Sequence, residues 1–162
     1  SIHISITSPL PFRSFSDTYL MRYLFLILIA SLFTCTHATA QVAVIAHSSV
    51  PVDTIEKIDL LDFYTGDIRV WQDENPVVVF DLKTKNDVKK SFYRFIGKST
   101  SRMKSIWMKK MLAGESDPPM TMASEEEMLA KVASTPGAIG FISGVLVAEN
   151  VKTLIIIDVD DG

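Results

Sequence analysis

Val77-Val78-Val79-Phe80-Asp81-Leu82-Lys83-Thr84-Lys85-Asn86-Asp87-Val88-Lys89-Lys90-Ser91-Phe92 is the stretch on which the fold turns. Residues 77–82 form an apolar run broken only by Asp81, too short for a helix and suited to a strand buried on both faces, as in parallel sheets. Asn86 or Asp87 can then cap a helix whose Val88, Phe92, Phe95 and Ile96 line one side before Gly97. A strand that passes through a short polar loop into a helix presents backbone N–H groups and a positive helix end to an anion. The loop residues Lys83, Thr84, Lys85 and Asn86 are therefore candidate ligand-binding residues.

Upstream, Gln41-Val42-Ala43-Val44-Ile45-Ala46-His47 has the β-branched composition of a buried strand and ends in the polar turn Ser48-Ser49-Val50-Pro51. If the first two strands are neighbours, Ser48 and Ser49 join the same anion site. A helix capped by Asp53 or Thr54 follows, with Ile55, Ile58, Leu61 and Phe63 or Tyr64 inward, and stops at Gly66. Residues 67–76 form a loop with Trp71 packed over the core edge.

Downstream, Ser99 or Ser101 opens a helix with Met103, Ile106, Trp107 and Met111 inward, closing at Gly114. The loop Glu115-Ser116-Asp117-Pro118-Pro119 is too proline-rich to be regular. Ser124 and Glu127 form a capping box for a fourth helix through Met128, Leu129 and Val132. Pro136-Gly137 turns the chain into a strand over residues 138–142, and a last strand runs over 153–158. Lys89-Lys90 and Lys109-Lys110 fall on outward helix faces and are expected to be solvated. Alternating strands and helices imply an α/β domain with a mixed, mostly parallel sheet and flanking helices.

Ahead of this domain, Met21-Arg22 precedes the apolar run 23–33, and Ala38-Thr39-Ala40 offers a small-x-small cleavage site. The expectation is a signal peptide over 21–40, with residues 1–20 as upstream sequence, and a single domain over 41–162 in the periplasm or secreted. A membrane anchor needs about twenty apolar residues, and Thr34, Thr36 and His37 interrupt the run. Leu32-Phe33-Thr34-Cys35 loosely resembles a lipobox, but Phe33 and Thr34 are large for it. No stable membrane span is expected once the leader is removed.

Residues 41–162 carry 14 basic and 18 acidic side chains, a net charge of −4 that argues against nucleic acid as a partner. The one cysteine, Cys35, and His37 lie in the leader and His3 in the upstream segment, which removes Cys/His zinc sites and leaves only His47 for any His-centred chemistry. Asp158-Val159-Asp160-Asp161-Gly162 opens like a calcium loop but stops before the glutamate such loops need, so it is expected to be a solvated acidic tail. No paired carboxylate or nucleophile-base set stands out. The expectation is a protein that is not an enzyme, with no cofactor and no metal.

Leu61-Asp62-Phe63-Tyr64-Thr65-Gly66-Asp67-Ile68-Arg69-Val70-Trp71, the 77–92 stretch, and Thr135-Pro136-Gly137-Ala138-Ile139-Gly140-Phe141, in this order, resemble the phosphate-binding substrate-binding proteins of ABC transporters. The resemblance covers about residues 42–151. It implies a single lobe of the type II periplasmic-binding-protein fold, a small oxyanion such as phosphate as ligand, and an ABC transporter permease as partner. Relatives of that family have two lobes, and they carry a Gly-Ser-Gly-Thr run where this chain has Lys85-Asn86-Asp87-Val88. Two further readings stand beside it: an envelope interaction module with a vestigial ligand site, and a hydrolase using His47.

Overall fold

The computed structural model describes Tyr19, residues 21–23, Phe25 and residues 40–159. The leader and upstream segment, Cys35 and the acidic tail past Val159 lie wholly or largely outside these. Tyr19, residues 21–23 and Phe25 are helical and exposed, and the described residues from Ala40 onward form a separate compact unit. No helix among the described residues is long and apolar enough to cross a membrane.

The elements in order are β1 (Gln41–Ala46), α1 (Lys57–Thr65), β2 (Val78–Leu82), α2 (Asp87–Phe95), α3 (Thr100–Leu112), β3 (Met120–Met122), α4 (Glu125–Ser134), β4 (Ala138–Ser143), a 3-10 turn (Gly144–Leu146) and β5 (Lys152–Asp158). They build one five-stranded sheet in the order β3-β2-β4-β1-β5. β2 runs parallel to β3 and β4. β1 runs antiparallel to β4 and β5. The expected mixed sheet with flanking helices forms, parallel on one side and antiparallel on the other.

The two faces of β4 show how the layers stack, because successive side chains point to opposite sides. Phe141 points to the side of α1 and α2, where its ring stacks on Phe92 at a centroid distance of 4.1 Å and Phe92 meets Tyr64 at 4.7 Å. Tyr64 is fully buried and donates its hydroxyl to the Phe80 carbonyl at 2.9 Å. Burial, with a smaller push from Asp81, holds that phenol well above its usual pKa. Gly140 points to the other side, against α4: a Cβ there would lie 2.5 Å from Met128 Sδ. The glycine is what lets α4 lie close on the sheet.

Helix α1 differs from expectation in its start and its face. Its N-cap is Glu56, with no side-chain cap bond, while Asp53 instead accepts from Lys152 Nζ at 3.1 Å. Ile58 is exposed, and the inward residues are Leu60, Phe63 and Tyr64. At about 100° per residue, Leu60 and Tyr64 lie about 40° apart on the helix, whereas Ile58 lies about 120° from Tyr64. The aromatic pair chose the face, and Ile58 was left on the other one. The helix does stop at Gly66, in the left-handed conformation at φ 72. A Cβ at Gly66 would also meet the Trp107 ring at 2.7 Å.

In α3, Met103 and Trp107 are buried as expected, but Met111 is exposed. Trp107 Nε1 donates to the Tyr64 carbonyl at 3.1 Å, which fastens α3 to the end of α1. The expected burial of the second strand on both faces holds for Phe80, Asp81 and Leu82, while Val77, Val78 and Val79 remain half-buried. Trp71 packs as expected: it is buried and meets Phe63 edge to face at 4.9 Å. Strand β3 was not foreseen; it is a three-residue edge strand paired with β2.

Candidate functional site

The 83–86 loop leaves the C-terminal end of β2. Lys83 N–H donates to the Met122 carbonyl at 2.9 Å, and Asn86 N–H donates to the Thr84 carbonyl at 3.0 Å, so the loop turns tightly away from the sheet. Lys83, Thr84 and Lys85 are exposed and Asn86 is half-buried. Asn86 is the N-cap of α2: its Oδ1 accepts from Lys89 N–H at 2.9 Å. Its side-chain oxygen is thus committed to the helix.

Beneath the loop lies a buried charge network. Asp81 is 7% exposed. Its Oδ1 accepts from Leu82 N–H at 2.7 Å, and its Oδ2 accepts from Tyr93 Oη at 2.6 Å and from Lys89 Nζ at 2.9 Å. Lys89 Nζ also donates to the Leu82 carbonyl. Burial raises the Tyr93 phenol far above its usual pKa, and the Asp81 carboxylate adds to the rise. Tyr93 therefore stays a neutral donor.

Lys89 is a correction to the expectation of a solvated lysine. It lies three and four residues before Phe92 and Tyr93, on the inward side of α2, and its charge is spent on Asp81. Lys90, by contrast, is exposed and pairs with Asp87 at 3.2 Å. Lys110 also departs from expectation: its ammonium reaches Asp67 at 2.7 Å with a side chain only 16% exposed.

Ser48 and Ser49 do not join this loop. β1 is antiparallel to β4, and β4 is parallel to β2, with β4 between them in the sheet. The C-terminal end of β1 therefore sits at the end of the sheet where β2 begins, and the 83–86 loop sits at the end where β2 finishes. The joint site that neighbouring strands would have made does not form.

Ser49 has a different office. Its Oγ accepts from Gly137 N–H at 3.1 Å and lies 2.8 Å from His47 Nδ1, which in turn accepts from Ser49 N–H at 3.0 Å. Gly137 also gives its carbonyl to Trp71 Nε1 at 2.9 Å. At φ 74, with Pro76 O only 2.4 Å from where a Cβ would stand, position 137 requires glycine. The Pro-Gly turn is thus a joint that ties the β1 exit to the loop carrying Trp71. His47 serves this turn, and Ser48 lies exposed beside it.

No protein-family model matches the chain, and no curated protein matches it. Solved structures do. A protein of Clostridium perfringens assigned as a phosphate ABC transporter substrate-binding protein, solved with bound phosphate, superposes with a TM-score of 0.59 at 20% identity, over 71% of this chain and 44% of that one. The chain has the fold of phosphate ABC transporter substrate-binding proteins. An ABC-type phosphate transport receptor from Vibrio cholerae gives a TM-score of 0.57 at 19% identity, over 71% of this chain and 46% of its own. A structure from Planctomyces limnophilus described as a possible phosphate binding protein gives 0.53 at 15% identity, over 72% and 42%. This substrate-binding-protein fold therefore spans less than half the length of the solved chains it matches.

Proposed function

We propose that residues 41–162 are an exported, periplasmic or secreted, substrate-binding-protein-like domain that holds a small oxyanion, phosphate first, at the 83–86 loop. The observation that carries this reading is the strand-loop-helix at the end of β2. Asn86 caps α2 and takes up the Lys89 N–H, which leaves the Asp87 and Val88 N–H groups of the first turn without an intrahelical acceptor, beside exposed Lys83, Thr84 and Lys85. The C. perfringens protein of the same fold was solved with phosphate bound, which supports an anion as the ligand class. The domain would bind and release the ion without chemistry on it, and an ABC transporter permease is the partner that this fold suggests. The leader over 21–40 and the upstream 1–20 segment belong to the same reading.

A second reading is favoured by what the site has already spent. Asn86 Oδ1 and the Lys89 ammonium are used internally, and the Asp87 carboxylate stands exposed at the helix start, where it repels an anion. On this view the fold serves a protein partner in the envelope and the ligand site is vestigial.

Calorimetric titration of residues 41–162 with phosphate and sulfate separates the two. Micromolar binding that Lys85→Glu abolishes supports the oxyanion reading. An absence of heat at millimolar anion removes it and leaves the interaction module.

A further inference from the structure

The charge of this chain is segregated along its length. Residues 83–110, which span the loop, α2 and α3, hold ten of the sixteen basic side chains and only one of the nineteen acidic ones, Asp87. The remainder of residues 41–162 carries four basic and seventeen acidic side chains. Three of the ten cations are paired: Lys89 with Asp81, Lys90 with Asp87 and Lys110 with Asp67. The other seven form no ion pair among the described residues.

Five of these seven, with the paired Lys90, line two grooves. Lys85, Lys90, Arg94 and Lys98 line one groove together with Tyr93, Ser99 and Thr100. One helical turn beyond Thr100, Lys104 borders a second shallow groove with Met108, Lys109 and Leu112. Spacing of four residues places Thr100, Lys104, Met108 and Leu112 along one side of α3, so the basic groove runs on into an apolar stripe. Met108 is 45% exposed and Leu112 is 82% exposed.

We infer that the outer side of α2 and α3 docks on an anionic phospholipid surface. The cations of the first groove meet headgroup phosphates, while Met108 and Leu112 enter the boundary between headgroups and acyl chains. Eight of the ten cations in this segment are lysine, a residue depleted from the cores of protein interfaces. Single-stranded nucleic acid calls for exposed aromatic rings on which bases stack. Here Phe92, Tyr93 and Trp107 are buried, and Phe95 is half-buried with the Lys57 ammonium 5.8 Å from its ring centroid. Long lysine stems beside exposed methionine and leucine suit a lipid interface, where the charged ends reach the phosphates and the stems cover apolar surface. The first groove shares Lys85 with the proposed anion site, so the test leaves Lys85 untouched and its failure is distinct from failure of anion binding.

The test is flotation of the full chain with phosphatidylcholine vesicles made with and without phosphatidylglycerol, at low and high salt. Arg13, Arg22 and the apolar run at 23–33 are the same in every variant, so the change on substituting α2 and α3 residues isolates the basic surface. Each cation near an anionic surface is worth about a fivefold change in partition. Reversing Arg94, Lys98, Lys104 and Lys109 to Glu should weaken binding to the anionic vesicles by at least about a hundredfold. Met108→Ser with Leu112→Ser should weaken it about tenfold while leaving the salt dependence in place. A control with Lys98→Arg, Lys104→Arg and Lys109→Arg keeps the charge and should keep the binding. Equal partition into both vesicle types overturns the inference. So does a charge-reversed variant that binds as before with an unchanged circular dichroism spectrum, or a chain that prefers an oligonucleotide to the vesicles.

Discussion

Replacing Lys89 with Met removes an ammonium group and keeps most of the apolar stem, which isolates the electrostatic part of its role. The side chains of Lys89 and Asp81 are each 11% exposed, so the substitution strands a buried carboxylate. Asp81 would retain Tyr93 Oη and Leu82 N–H as donors, and the Leu82 carbonyl would lose its side-chain donor. Removing one partner of a buried ion pair costs about 3–5 kcal/mol. The two surviving hydrogen bonds place this case at the lower end, near 3 kcal/mol. With domains of this size stable by about 5–15 kcal/mol, that is a large share of the total. At a urea slope of about 2 kcal/mol/M the unfolding midpoint should fall by about 1.5 M, read from the fluorescence of Trp71 and Trp107. Adding Asp81→Asn should recover most of the loss, because the amide oxygen still accepts from Leu82 N–H while its NH2 donates to Tyr93 Oη, with no charge left buried. A cost below about 1 kcal/mol, the worth of a surface ion pair, would refute the buried network, as would a double variant no more stable than the single one.

Gly137→Ala should cost at least about 3 kcal/mol, because a left-handed backbone strain of about 1 kcal/mol is joined by a clash with a backbone oxygen that cannot swing aside. Gly97→Ala, at φ 76 with open space around it, should cost only about 1 kcal/mol in the same urea assay. Trp71→Phe should lose about 1–2 kcal/mol by leaving the Gly137 carbonyl without its indole donor, and calorimetric melting would register it as a lowered Tm. The hydrogen bond from Lys110, then that from Thr65, holds the Asp67 carboxyl below its usual range. A carboxyl depressed in the folded state stabilises fully above its unfolded pKa and loses that contribution as pH falls through the folded value. Lys110→Met should therefore flatten part of the stability loss below about pH 4, by less than about 1 kcal/mol because Asp67 is largely exposed. Urea midpoints measured across that range would check it.

Much of this fold can be read from residues alone. β-branched runs mark β1, β2 and β5, the Pro136-Gly137 turn marks the start of β4, and the caps at Asn86, Ser99 and Ser124 mark where three helices begin. β3 escapes because Met120-Thr121-Met122 is three residues long and has no pattern of its own; it exists through its pairing with β2. Ile58 misleads because two helix faces carry apolar residues, and only the tertiary cluster of Tyr64, Phe92 and Phe141 selects one. Lys89 was legible in principle. An aspartate inside an apolar strand needs a counter-charge, and Lys89 occupies the inward side of the next helix. The distance between Ser49 and the 83–86 loop was not legible, since strand direction depends on pairing across about a hundred residues of chain. Local sequence sees neighbours along the chain and is blind to which end of the sheet a loop occupies.

Titrating ¹⁵N-labelled residues 41–162 with inorganic phosphate and following each amide by NMR tests the central claim most directly. The account predicts saturable shifts concentrated on Thr84, Lys85, Asp87 and Val88, with the Ser48 and Ser49 amides at the far end of the sheet unmoved. Amides that stay in place up to millimolar phosphate, or small unsaturable shifts spread over every lysine-bearing face, would contradict it.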